Sequence, residues 1–133
     1  MNSDFRVYEC IYNGANPTNS GKGIASLEEP THTDLQPRLE SDGYIWKYLY
    51  TIKPSDIVKF DSVDYIPVPQ DWLNNSDTLD IRNAAVEGKI ETVVIEDTTS
   101  AAYQFSGTKN NVTIRGDGQV GLASVTFVNG KPT

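Results

Sequence analysis

The chain has 133 residues, 38% hydrophobic and 10% aromatic, enough for one domain or two small ones. Eighteen acidic against eleven basic side chains leave a formal charge of −7, which opposes nucleic acid and anionic membrane surfaces, since both call for clustered Lys and Arg. No apolar run approaches the ~20 residues of a membrane span, and residues 1–5 lack the basic-then-apolar plan of a signal peptide. The single cysteine, Cys10, cannot close an intrachain disulfide, so a soluble protein of a reducing cytoplasm is expected.

Residues 4–12 predict a strand, with Phe5, Val7 and Ile11 alternating against Tyr8, Cys10 and Tyr12. Asn13-Gly14 ends it. Residues 13–43 then form a long loop, rich in Gly and Pro and poor in periodicity, of a length usually reserved for function or for packing on a partner. The strongest strand spans residues 44–52: Tyr44, Trp46, Tyr48, Tyr50 and Ile52 are assigned to one face, and Ile45, Leu49 and Thr51, with Lys47, to the other. Lys53-Pro54 stops the ladder, and residues 54–60 can make a single helical turn. Tyr65-Ile66-Pro67-Val68-Pro69 is an edge strand at best.

Residues 70–76 read as a linker, with a domain boundary near Asn75. One helix is expected over residues 77–87, capped by Asp77, with Leu79 and Val86 seven apart and Gly88 as its stop. Strands follow at residues 90–96, 111–115 and 123–128, the last two joined by a Gly116-Asp117-Gly118 turn. The expected fold is mainly β, a β-rich α+β class: antiparallel sheets with long loops and one short helix, in two domains, 1–74 and 75–133. In the second, the helix is expected to cover a three-stranded sheet carrying Val94, Val112, Ile114, Val125 and Phe127.

A search for chemistry finds no convergent site. His32, the only histidine, sits between Thr31 and Thr33 in a polar loop, has no paired His or Cys for zinc, and reads as a surface residue. Cys10 has no basic neighbour to activate its thiol and reads as a small buried hydrophobe. Asp77, Asp80 and Glu87, or Glu96 and Asp97, lack the spacing of a calcium loop. Gly14, Gly21 and Gly23 lack the Gly-Lys-Ser/Thr that closes a phosphate loop. No nucleophile–base pair or acid/base carboxylate pair emerges, so neither an enzyme nor a cofactor is expected. The aromatic row Tyr44, Trp46, Tyr48 and Tyr50 is the candidate site. Such a row can stack sugar rings or bases, but a sheet core or subunit interface is the more ordinary use of Tyr and Trp.

The run Asp42-Gly43-Tyr44-Ile45-Trp46-Lys47-Tyr48-Leu49 resembles the baseplate wedge protein of T4-type contractile-tailed phages, the gene-eight product family. Val7-Tyr8-Glu9-Cys10 looks like that family's Val-Tyr-x-Cys strand, Ile24-Ala25-Ser26-Leu27 resembles a segment of its intervening loop, and Tyr65-Ile66-Pro67-Val68-Pro69 its proline-marked exit. The segment Lys47-Tyr48-Leu49-Tyr50-Thr51-Ile52-Lys53-Pro54-Ser55 is similar to versions carried by marine cyanophages. The resemblance covers residues 5–72 and implies a fragment of a longer protein. It implies a virion component of the phage tail baseplate, made in the host cytoplasm, acting through contacts with other baseplate wedge proteins and as a homodimer. It transfers no catalytic residue. Downstream, Ile90 to Ile95, Tyr103, Val112-Thr113-Ile114-Arg115-Gly116-Asp117-Gly118 and Leu122 to Val125 resemble a β-module of phage structural proteins, with Ser100-Ala101-Ala102-Tyr103 where glycines are the rule. The rival expectation is a carbohydrate- or receptor-binding β-module using exposed Tyr and Trp.

Overall fold

The computed structural model describes residues 1–14, 23–95, 105–119 and 121–132. Two compact units emerge, Met1–Thr92 and Val93–Thr133. The class is β-rich α+β: two small antiparallel three-stranded sheets and two short helices.

In the first unit, strands β1 (Arg6–Asn13), β2 (Arg38–Leu39) and β3 (Tyr44–Thr51) are ordered β1-β3-β2. The aromatic and β-branched side chains of β3 suit the central position, where both edges are paired. The two-residue strand β2 reaches β3 through a turn closed by Gly43 N–H donating to the Glu40 carbonyl at 3.0 Å. Gly43 has φ +88°, a conformation that glycine adopts without a side-chain penalty.

Two bulges break the simple alternation. Val7 opposes Tyr50 and Tyr8 opposes Tyr48, so Leu49 is the extra residue; a second shift, between Cys10 and Tyr12, makes Ile11 extra on β1. Opposed residues share a face and successive residues do not. Tyr44, Trp46 and Tyr48 therefore keep one face, while Tyr50 moves to the other, with Val7, Glu9 and Lys47. The one-face assignment of all four aromatics is corrected accordingly.

Helix α1 (Pro54–Phe60) begins with proline in its first turn, where the missing N–H costs nothing, and buries no residue. Helix α2 (Ser76–Ala84) is capped by the Asn75 side chain, which accepts from Asp77 N–H at 3.1 Å, so Asn75 rather than Asp77 is the cap. It ends at Ala84, short of the expected residue 87. It packs against β3 through a face that buries Thr78 and Ile81. The helix expected to cover the second sheet thus belongs to the first unit, and the division of the chain falls after Thr92 rather than near Asn75. Residues 70–76 are a structured turn: the Asp71 carboxylate accepts from the N–H groups of Leu73 and Asn74, both at 3.0 Å.

The second unit consists of β4 (Gly107–Ile114), β5 (Gly121–Val128) and β6 (Lys131–Pro132), ordered β4-β5-β6. The Gly116-Asp117-Gly118 turn lies between β4 and β5 as expected, and a two-residue turn of Asn129 (φ +51°) and Gly130 (φ +77°) joins β5 to β6. Along β5, Gly121, Ala123, Val125 and Phe127 are half-buried while the residues between them are exposed. The Phe105 and Phe127 rings meet edge to face at 6.1 Å. Residues 90–95 join no ladder, and neither do residues 65–69, so the strands expected there do not form; residues 96 and 103 lie outside the described residues.

Candidate functional site

The aromatic row is built into the first sheet and divided between its faces. On one face the Tyr44 and Trp46 rings stack at 5.5 Å, and Tyr48 meets Tyr8 edge to face at 5.8 Å. Tyr48 is 8% exposed, and its hydroxyl lies 2.7 Å from the Thr51 hydroxyl. Trp46 is half-buried, with its indole N–H shielded from solvent. On the other face Tyr50, 6% exposed, donates to the Pro67 carbonyl at 3.0 Å and meets Trp72 edge to face at 5.6 Å. Burial raises the Tyr50 phenol above its ordinary value, as it does for Tyr8. Lys47 shares the Tyr50 face and pairs with Glu91 at 2.6 Å.

The first face is covered by the second part of the 13–43 loop, whose first part, 15–22, lies outside the described residues. Four side chains of the sheet and its entry donate to carbonyls of this segment: Tyr44 Oη to Ile24, Asn2 Nδ2 to Pro30 at 2.8 Å, Arg6 Nη1 to Thr31 at 2.5 Å, and Tyr8 Oη to His32 at 2.7 Å. The near end is fastened by Asp42, whose carboxylate accepts from Ser26 Oγ (2.7 Å), Leu27 N–H (2.9 Å), Glu28 N–H (3.2 Å) and Tyr44 N–H (3.1 Å). The Ser26 hydroxyl foremost, with those amides, holds Asp42 down at about 2.

His32 is not a surface residue. Its side chain is 2% exposed and lies edge-on to Tyr8 at 5.4 Å, a placement its polar neighbours Thr31 and Thr33 did not signal. Cys10 is the reverse case: expected to be buried, it is exposed on β1. Partial desolvation raises its thiol pKa above the ordinary value.

A cleft of about 470 Å³ lies between β3 and the start of α2, lined by Tyr50, Ile52, Pro67, Gln70, Asn74 and Thr78, among others. Its polar groups are largely engaged with one another: Asp71 with Asn74, Asn75 with Asp77, and Lys53 with Asp77 at 3.5 Å. Among the described residues no group of three His, Cys, Asp or Glu is placed to hold a metal ion, and no helix is long and apolar enough to cross a membrane. No protein-family profile, curated protein or solved structure matches the chain.

Proposed function

We propose that the chain is a structural virion protein, a component of the baseplate wedge of a contractile-tailed phage, working through protein–protein contacts with other wedge proteins and with a second copy of itself. The observation that carries this reading is the apolar surface after β3: Val58, Phe60, Val63, Tyr65, Ile66 and Val68 all stand exposed. Six large apolar side chains within eleven residues are what a subunit presents when a partner completes its core. The segment lies within residues 5–72, where the resemblance to the wedge family is found. The aromatic row supports assembly over glycan binding, because Tyr48 and Tyr50 are buried and Tyr44 is committed to the loop, leaving no open row of rings for sugars. Phe60→Ser with Tyr65→Ser tests the reading: co-purification with wedge proteins should fall at least about tenfold, the cost of losing one buried aromatic anchor. Unchanged co-purification by the folded double variant would contradict it.

A further inference from the structure

We propose that His32 is a proton-operated clasp that fastens residues 31–40 to the first sheet, a device independent of the wedge reading. Its imidazole is sealed from solvent, and neither ring nitrogen has a hydrogen-bond partner. Nδ1 lies 3.9 Å from an Asp34 carboxylate oxygen and Nε2 lies 3.9 Å from one of Glu40. The neutral ring offers one donor and one acceptor, and ionised carboxylates can only accept, so the neutral form can serve one carboxylate at most. Taking up a proton puts an N–H in front of each carboxylate. Closing each gap by about 1 Å then makes two charge-assisted hydrogen bonds, one on either side of the ring.

The surrounding charges favour this outcome. Asp34 comes from the same segment as His32, and Glu40, 16% exposed and poorly screened, from the residue after β2. Arg38 on β2 reaches the Asp34 carboxylate at 3.5 Å and competes for it, which leaves Glu40 the stronger partner. From β1, Tyr8 presents its ring edge and bonds the His32 carbonyl, and Arg6 bonds the Thr31 carbonyl. Asp34 is 62% exposed, so solvent screens its attraction for the ring more than that of Glu40. The geometry does not suit a metal: each ring nitrogen lies 3.9 Å from a different carboxylate, and among the described residues no group of three His, Cys, Asp or Glu is placed to hold an ion. The proton is the trigger: with it the ring can bond both carboxylates, and without it one at most.

His32 is the only histidine, so its ring signal in a proton–carbon NMR spectrum needs no assignment. The experiment follows that signal in the full chain from about pH 8 to pH 5, with amide exchange at residues 31–34 and 38–40 corrected for intrinsic rates. Protection should rise roughly fivefold as the ring takes its proton, the effect of about one net hydrogen bond. The rise should vanish in His32→Gln and shrink in Glu40→Gln, which retains the histidine. Protection that stays level or falls as the ring titrates overturns the proposal, as does an equal rise in His32→Gln. Should that variant not fold, an undiminished rise in Glu40→Gln overturns it instead.

Discussion

Lys47 Nζ lies 2.6 Å from Glu91 Oε1, a partly buried ion pair that ties the chain beyond α2 to the face of β3 opposite Tyr48. The two side chains are 13% and 22% exposed, so solvent screens the pair less than it would a surface bridge. Lys47→Met should destabilise the chain by about 1–3 kcal/mol, below the cost of breaking a fully buried pair. A double-mutant cycle with Glu91→Gln, read from urea midpoints, should return a coupling near ~1 kcal/mol. A coupling of zero would mean that the segment is held by other contacts.

The buried and half-buried members of the aromatic row should differ in cost. Tyr48→Ala removes a core ring and should cost about 3–5 kcal/mol; Trp46→Ala removes a half-buried ring and should cost about 1–2 kcal/mol. Chemical denaturation of the two variants checks the order, which reverses if Trp46 is the true centre of the sheet.

Much of this arrangement is legible in the sequence, and the reasons for the remainder are physical. The alternation and turn residues of β1, β3, β4 and β5 foretell two antiparallel sheets, because period-two patterning and Gly-Asp-Gly turns act locally. The extra residues Leu49 and Ile11 leave no local signal, yet a bulge of one residue carries Tyr50 to the opposite face. Strand β2 is two residues long and exists because β3 has an edge to offer. His32 is buried by residues of β1 and by a long-range loop, so polar neighbours mislead. The docking of α2 on β3 rests on Thr78 and Ile81, which its helical pattern alone does not direct to one sheet or another.

Asp42 gives the loop a measurable acid sensitivity. Its folded-state pKa, about 2, lies below its ordinary value, so its contribution is complete above roughly pH 4 and is lost as pH falls toward 2. Asp42→Asn should lower the urea midpoint at neutral pH, and the gap from the parent should close between about pH 4 and 2. A gap that persists unchanged at pH 2 would assign the effect to something other than the carboxylate.

The turn at residues 71–75 should resist proteolysis. The Asp71 carboxylate accepts from the N–H groups of Leu73 and Asn74 and is held below the ordinary range foremost by the Asn74 side chain, while Asn75 caps α2 by accepting from Asp77 N–H. Limited digestion should therefore cut beyond Thr92, at the division of the two units, before Asn74–Asn75. Mass spectrometry of the first fragments decides it, and an initial cut at Asn74 would show that α2 is not firmly docked.

The assembly reading is tested most directly by the solution mass of the full chain, measured by light scattering alone and with candidate baseplate wedge proteins. The account predicts a mass above the monomer for the chain alone and a further, stoichiometric increase when a wedge partner is added. A strictly monomeric chain at every concentration, with no mass change beside any wedge protein, would contradict it.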